Sequence, residues 1–242
     1  MAKVEYGIRI CASVVALCIT GPAAADFIYG DDFESSLTCS GSGPAITGAM
    51  SPTSVNTQLG TQTRYLVKVL SCGFSGPVTL TPSGTPASWG VVLDPPVLQV
   101  ALNSPAVSEL TVTVQTDADA GSVMIHIDAA ASGANTASLA ASLNVANEYS
   151  IHFAPNGTGS GPHAFLPAYL QIKLGAKLRF IDDDSAEVHR IHAAGMAGFA
   201  HQAFDMTQGQ EYDITPTATT TNTPIYCHDH LGTGTMYVTV VP

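Results

Sequence analysis

Short apolar segments that alternate with polar residues fill the first half of the chain. Between Pro44 and about Ala146 these segments read "TRYLVKVLSC", "GPVTLTPSG", "WGVVLDPP", "SELTVTVQT", "AGSVMIHIDAAASG" and "ASLAASLNVA". Alternation of Thr, Val and Leu with polar residues, interrupted by Gly, Pro, Asp and Asn, is typical of short strands joined by turns. Strands at this spacing predict a β-sandwich over residues 44–146.

A second series of alternating segments runs from residue 147 to the C-terminus. The strand "LQIKL" is followed by a turn at Gly175, by the strand "KLRFI" and by an acidic loop, and the chain ends in the strand "YVTVV". These segments again indicate strands. The acidic triplet at 182–184 lacks the spaced oxygen ligands and the glycine of a calcium loop, so we interpret it as a solvated turn.

The pattern therefore predicts an all-β protein of two domains, residues 44–146 and 147–242. A polar, Gly/Ser-rich leader over residues 26–43 precedes them. The boundary is placed near Ala146–Tyr149, where the composition changes, because only His126 of the eight histidines lies before it. The other seven are His152, His163, His189, His192, His201, His228 and His230. Enrichment of histidine in one half indicates that this half carries the chemistry.

The first 25 residues have the pattern of a secretory signal. Lys3 and Arg9 precede an apolar run over Ile10–Thr20, and small residues follow up to Ala25. This order predicts cleavage near Ala25 and a location in the periplasm or outside the cell. The apolar run is too short for a membrane span, and no later segment is apolar enough to be one.

Three cysteines remain after removal of the signal, Cys39, Cys72 and Cys227. In an oxidising compartment two of them should pair, and an odd cysteine is left as a free thiol or a metal ligand. Because Cys39 and Cys72 lie in one N-terminal region, we predict that they form a disulfide. Cys227 is then the cysteine left over.

The mature chain is acidic. Without its signal it keeps 6 of the 8 Lys and Arg residues and 18 of the 19 Asp and Glu residues, a formal charge of −12. A chain with so few Lys and Arg residues cannot neutralise a phosphate backbone, and nucleic acid is therefore not expected as a partner. The charge keeps the protein soluble and is able to steer a basic protein toward it.

The C-terminal segment "IYCHDHLGTGTMYVTVV" concentrates soft metal ligands. Cys227, His230 and Met236 lie on or beside the loop between the last two strands, where they can meet at one point. A thiolate with two imidazoles and a weak axial thioether is the donor set that suits copper in both oxidation states. The second imidazole must come from a distant strand.

Two histidines compete for that position in "VHRIH". Residues three apart on a strand lie on opposite faces, so only one of His189 and His192 can be a ligand. The pattern after the acidic loop favours His189, and His192 is the alternative ligand. His228 follows Cys227 directly and is expected to point the other way, and His201 is interpreted as an exposed loop residue near the mouth of the site.

A second, looser copper site is an alternative role for the two histidines that flank the Gly-rich stretch "APNGTGSGPH". They are His152 and His163, which we otherwise interpret as surface residues.

Over about 90 residues the C-terminal half resembles the cupredoxin family of blue copper proteins. The family frame F-x-P-x-x-L-x-V-x-x-G-x-x-V-x-F is followed by Asn and Asp, for which this chain has Asp182 and Asp184. The frame itself is filled by Phe165, Pro167, Leu170, Ile172, Gly175, Leu178 and Phe180. By this register the first histidine is His189.

The resemblance implies a Greek-key sandwich with one type 1 copper per chain. Its ligands would be His189, Cys227 and His230, with Met236 as the axial ligand. The Cys-x-x-His spacing is similar to that of plastocyanin-like and pseudoazurin-like members. Met236, however, lies one residue further from His230 than in plastocyanin-like chains.

The N-terminal half resembles the Ig-like modules of secreted bacterial proteins. The segments that carry this likeness are "SVNTQLGTQTRYLVKV", "GFSGPVTL" and "TDADAGSVMIHIDAAASG". It implies an accessory module through which a protein partner could bind.

The expected function is one-electron transfer by a secreted or periplasmic protein with one copper, acting with a redox partner protein and not as an enzyme. The alternatives are a copper carrier or storage protein without redox turnover, and an adhesion or assembly module with a vestigial metal site. In multicopper oxidases, histidines beside the cysteine reach a trinuclear cluster, which needs four His-x-His pairs. This chain has only the pair His228 and His230, so a laccase-type oxidase is not expected.

Overall fold

The computed structural model describes residues 37–39, 43–153, 165, 167–193, 199, 201–230 and 235–242. These residues contain sixteen β-strands and no helix, which confirms the predicted all-β fold class. The described part of the chain therefore holds no helix that is long and apolar enough to cross a membrane. The predicted signal peptide, its cleavage site and most of the polar leader lie outside the described residues, as does His163.

The N-terminal half forms two sheets, one of four strands in the order β1-β3-β7-β5 and one of five in the order β2-β9-β8-β4-β6. The strands are β1 (Ala45–Ser51), β2 (Ser54–Gln58), β3 (Gln62–Cys72), β4 (Gly76–Ser83), β5 (Gly90–Asp94), β6 (Val97–Val100), β7 (Pro105–Thr113), β8 (Gly121–Ala130) and β9 (Ala137–Ala146).

Burial along β3 follows the alternation that predicted this strand. Tyr65, Val67 and Val69 are fully buried, whereas Arg64 is exposed and Lys68 is half-buried. Successive side chains of a strand point to opposite faces, so one face of β3 packs into the core. The same alternation recurs in β7, β8 and β9.

A disulfide joins Cys39 to Cys72, the last residue of β3. Among the described residues Cys227 is the only free cysteine, and it is buried. The pairing expected from the cysteine count is thus present, and the remaining thiol lies in the histidine-rich half.

The C-terminal half forms a three-stranded sheet in the order β10-β12-β14 and a four-stranded sheet in the order β11-β16-β15-β13. The strands are β10 (Glu148–Phe153), β11 (Tyr169–Lys173), β12 (Lys177–Asp182), β13 (Ile191–Ala193), β14 (Glu211–Ile214), β15 (Thr220–Cys227) and β16 (Met236–Val241).

Aromatic side chains fill one region of this second core. The Phe153 ring lies 5.0 Å from Phe165, and Phe165 lies 5.9 Å from Phe180 in an edge-to-face arrangement. All three rings are buried. Pairs of this kind add to the free energy gained from burial alone. Phe153 also stacks on His189, which connects the group to the histidine-rich part of this half.

Within the described residues, strands of the two halves pair only with strands of their own half. Polar contacts join the halves instead, such as the hydrogen bonds from Gln58 Nε2 to Glu148 Oε1 at 2.9 Å and from Gln171 Nε2 to Asp117 Oδ2 at 2.8 Å. The boundary near residue 147 and the Ig-like character of the first half remain predictions.

Candidate metal centre

Cys227 is the last residue of β15 and has no exposed surface. The inward positions of this strand are Thr223, Ile225 and Cys227, which alternate with more exposed residues. Met236 pairs directly with Ile225 on the antiparallel neighbour β16 and is itself fully buried. Since residues two apart on a strand share a face, Met236 lies on the same side of the sheet as Cys227.

His189 reaches the cysteine from a different part of the chain. A backbone bridge to Met206 fixes its position, with N–H···O distances of 3.1 and 2.7 Å. Its ring stacks on Phe153 with 4.5 Å between ring centres, and only 1% of the residue is exposed. Its Nδ1 lies 3.7 Å from the sulfur of Cys227.

His230 lies three residues after Cys227, and its Nδ1 is 3.2 Å from the sulfur. Its Nε2 is 2.6 Å from Oε2 of Glu187. The His230 side chain is 18% exposed, so one of the two imidazoles that face the sulfur reaches the protein surface while the other is enclosed.

One donor atom each of His189, Cys227 and His230 lies within 4.8 Å of the other two. Donors that share one transition-metal ion lie about 3–4 Å apart, because each forms a bond of about 2.0–2.3 Å to the ion. The measured sulfur–nitrogen distances of 3.2 and 3.7 Å fall in this range. A soft sulfur with two imidazoles fits copper in this arrangement.

Protonation of the buried groups depends on their surroundings. Burial raises the pKa of the Cys227 thiol, which the backbone N–H of Arg190, 3.4 Å from the sulfur, partly opposes. Burial also lowers the pKa of His189, against the attraction of Asp182 and Asp184. The neutral imidazole is therefore favoured, with a lone pair available for a metal, and metal binding would release the thiol proton.

The acidic triplet is not the solvated turn predicted from the sequence. Asp182 and Asp184 are buried, and only Asp183 of the three is exposed. Burial raises the pKa of Asp182, whereas the backbone N–H of Ala186, 2.7 Å from Oδ1, holds the pKa of Asp184 below its ordinary value. Asp184 is enclosed because it packs against the buried ring of His189.

Asp184 and Glu187 are site residues that the sequence did not identify as such. Oδ2 of Asp184 lies 3.5 Å from Nε2 of His189, and Glu187 contacts Nε2 of His230. Each imidazole thus presents Nδ1 to the sulfur and Nε2 to a carboxylate. Carboxylates in this position orient metal-binding histidines and fix their tautomer.

The alternative ligand His192 lies elsewhere. It pairs with Tyr226 on β15, whereas its neighbour Ile191 pairs with Cys227. It therefore occupies the opposite face of the sheet, together with the exposed residues His201 and His228. His152 is exposed and lies 2.6 Å from Asp183, so of the described candidate histidines only His189 and His230 are placed with Cys227.

No family model matches this chain, and a search of curated proteins finds no match. Partial similarities are found among solved structures. The purple cupredoxin from Nitrosopumilus maritimus is 21% identical over 38% of this chain and 98% of its own, with a TM-score of 0.31.

Two structures of amicyanin variants are similar to the same extent. An oxidised proline-to-glycine variant is 24% identical over 39% of this chain and 82% of its own, with a TM-score of 0.32. A reduced tryptophan-to-tyrosine variant is 20% identical over 39% of this chain and 83% of its own, with a TM-score of 0.31.

Proposed function

We propose that the protein binds one copper ion at this centre and transfers single electrons in the periplasm or outside the cell. The ligands are His189, Cys227 and His230, with Met236 in the axial position. The observation that carries the proposal is the approach of two Nδ1 atoms, at 3.7 and 3.2 Å, to one buried free cysteine sulfur.

Copper bound to a thiolate and two imidazoles exchanges one electron between two accessible oxidation states. The chain supplies the conditions for this exchange. His189 is held by Phe153 on its face and by the bridge to Met206, and the complete burial of Cys227 keeps bulk water from the sulfur. A site whose donors are fixed by packing needs little rearrangement when the bound copper gains or loses an electron.

The electron would enter and leave through His230. Of the two imidazoles it is the one with exposed side-chain surface, 18% against 1% for His189. A docked redox protein would therefore approach the surface around His230 and Glu187. The N-terminal sandwich, taken as Ig-like, is proposed to bind a protein partner.

The test is addition of Cu(II) to the reduced, metal-free, secreted protein, followed by absorption and EPR spectroscopy. A thiolate-to-copper charge-transfer band and a narrow copper hyperfine splitting are expected, and both should disappear in Cys227→Ser. Reversible voltammetry should then show a one-electron couple. Binding with strong colour but without a reversible couple would indicate a carrier, and absence of any band would indicate a vestigial site.

A further inference from the structure

Three histidines that the proposed centre does not use meet on the outer face of its sheet. His192 lies in β13, His201 lies in the loop before β14, and His228 directly follows β15. One ring nitrogen from each lies within 4.8 Å of the other two. The ring centres are 4.5 Å apart for His192 and His201, 5.4 Å for His192 and His228, and 5.2 Å for His201 and His228.

The His201 ring is oriented as a metal ligand would be. Its Nδ1 lies 2.6 Å from the carbonyl oxygen of Gln202. A carbonyl only accepts, so Nδ1 carries the proton and Nε2 keeps its lone pair. That lone pair faces the cluster, because Nε2 is 3.1 Å from Nδ1 of His228. A backbone carbonyl on the far nitrogen is a common partner of metal-binding histidines.

The other two rings are also held in place. His192 stacks on Tyr226 with 4.6 Å between ring centres, and its Nδ1 is buried without a hydrogen-bond partner among the described residues. The backbone N–H of His228 donates to the carbonyl of Arg190 at 2.7 Å. This bond links the residue after β15 to the residue before β13, and so sets the distance between His228 and His192.

We propose that His192, His201 and His228 bind a second metal ion, Cu(II), in a mononuclear site on the outer face of the sheet. Three neutral imidazoles without a thiolate suit a divalent first-row metal, and Cu(II) binds such donors more strongly than Zn(II) does. His201 and His228 are exposed, so solvent reaches the ion. Three protein ligands with an open position leave room for water or a small anion.

The two sites lie back to back across one strand. Cys227 points inward and His228, the next residue, lies on the outer face with His192. One peptide unit therefore connects a ligand of the first site to a ligand of the second. The second site shares no ligand with the first, so either site is able to exist without the other.

The test measures copper content and EPR spectra of the secreted protein after Cu(II) loading and removal of unbound metal. Two copper ions per chain are expected. One should show the thiolate band with narrow hyperfine splitting, and the other should show wide splitting with nitrogen couplings and little colour. His201→Ala should remove the second signal and one copper ion, while the thiolate band is unchanged.

His152→Ala is the matched control, because His152 is an exposed histidine of the same half outside the cluster. It should keep both copper ions. A wild-type protein that retains only the thiolate-bound copper would overturn the inference. A second copper that survives His201→Ala, or that disappears in His152→Ala, would also overturn it. Displacement of the second copper by an equal concentration of Zn(II) would overturn the assignment of the site to copper.

The copper centre at Cys227 and the site at His192, His201 and His228 can fail separately, and the measurements distinguish the two failures. The wild type could lack the thiolate band but keep the signal with wide splitting, and His201→Ala could then remove that signal. This result would reject the first centre and support the second. His201→Gln checks that loss of metal in His201→Ala reflects a missing ligand and not a misfolded loop. It should also lose the second copper while the melting temperature remains that of the wild type.

Discussion

The carboxylate oxygen Oε2 of Glu187 lies 2.6 Å from Nε2 of His230, and the other ring nitrogen of the same imidazole faces the sulfur of Cys227. Nε2 must donate to the carboxylate, so Nδ1 is left with the lone pair that a metal requires. A negative charge at this position also makes the imidazole a stronger donor. Glu187 is thus able to set both the orientation and the donor strength of the more exposed ligand.

Glu187→Gln should raise the reduction potential of the bound copper. Loss of the negative charge weakens the imidazole donor and disfavours Cu(II) more than Cu(I). A three- to tenfold change in the ratio of the site's affinities for Cu(II) and Cu(I) corresponds to roughly 30–60 mV for one electron. Voltammetry of the copper-loaded protein measures the shift. Glu109→Gln, which makes the same charge change beside Arg64 in the N-terminal half, should leave the potential unchanged.

Asp184→Asn should weaken copper binding at the first centre. Asp184 accepts the backbone N–H of Ala186 and lies beside Nε2 of His189. Loss of a carboxylate behind a ligating histidine typically lowers metal affinity about 10- to 100-fold. Competition with a chelator of known affinity measures this loss. Asp183→Asn alters the exposed neighbour and serves as the control, and equal affinities of the two variants would contradict the role of Asp184.

The contrast between His189 and Asp184 shows how far sequence reasoning extends. The sequence indicated that only one of His189 and His192 approaches Cys227, and the two belong to separate groups of donors, although His189 precedes β13 and does not lie on it. It could not show that Asp182 and Asp184 are buried, because burial of Asp184 depends on how the loop folds against His189. Local sequence favoured a solvated turn, and tertiary packing overrode it.

The outer histidine cluster was missed for a similar reason. The sequence led us to expect that His228 points away from the first centre and that His201 is exposed. The structure agrees with both expectations. Their meeting with His192 depends on the path of the loop that carries His201, which lies 27 residues from His228 in the chain. No short-range pattern encodes that path. The enrichment of histidine in this half was the only signal in the sequence.

Replacement of Cys39 and Cys72 together by alanine should destabilise the N-terminal sandwich. A cross-link between residues 33 apart restricts the unfolded chain, and loss of such a bond typically costs about 2–4 kcal/mol. Chemical denaturation measures the loss. The copper spectra should not change, because the disulfide lies in the other half. Thiol titration of the unfolded, unreduced, metal-free wild type should find one thiol, and finding three would reject the disulfide.

Asp213→Asn should destabilise the metal-free protein at neutral pH but not in acid. Partial burial acts to raise the pKa of Asp213, but hydrogen bonds from Arg179 and Lys177 outweigh it, so the pKa lies below its ordinary value of 3.8. A carboxyl with a lowered native pKa stabilises the fold above pH 3.8, and this contribution disappears as the pH falls through the native pKa.

The melting temperature should therefore fall by roughly 1–3 °C in Asp213→Asn near pH 7, a small change because the pair is partly exposed and screened by solvent. The difference from the wild type should shrink below pH 3.8. Scanning calorimetry at several pH values measures it, and the difference should also decrease at high salt. A difference that is constant across the pH range would contradict an ionic origin.

Met236→Leu tests the axial ligand. Met236 pairs with Ile225 and is fully buried on the side of the sheet that carries Cys227. Removal of a weak axial donor destabilises Cu(II) more than Cu(I), so the potential should rise while copper remains bound by the thiolate and two imidazoles. Met236→Gln should lower the potential, because an amide oxygen is a harder donor that favours Cu(II).

The outcome of this pair of variants separates a ligand from a core residue. Leu and Met have similar volumes, so Met236→Leu should cost less than about 1.5 kcal/mol of stability in either case. If neither variant changes the spectrum or the potential, while Cys227→Ser still removes the colour, the sulfur of Met236 does not contact the metal. The additional residue between His230 and Met236 has then moved the methionine into the strand core, and the first centre has three protein ligands.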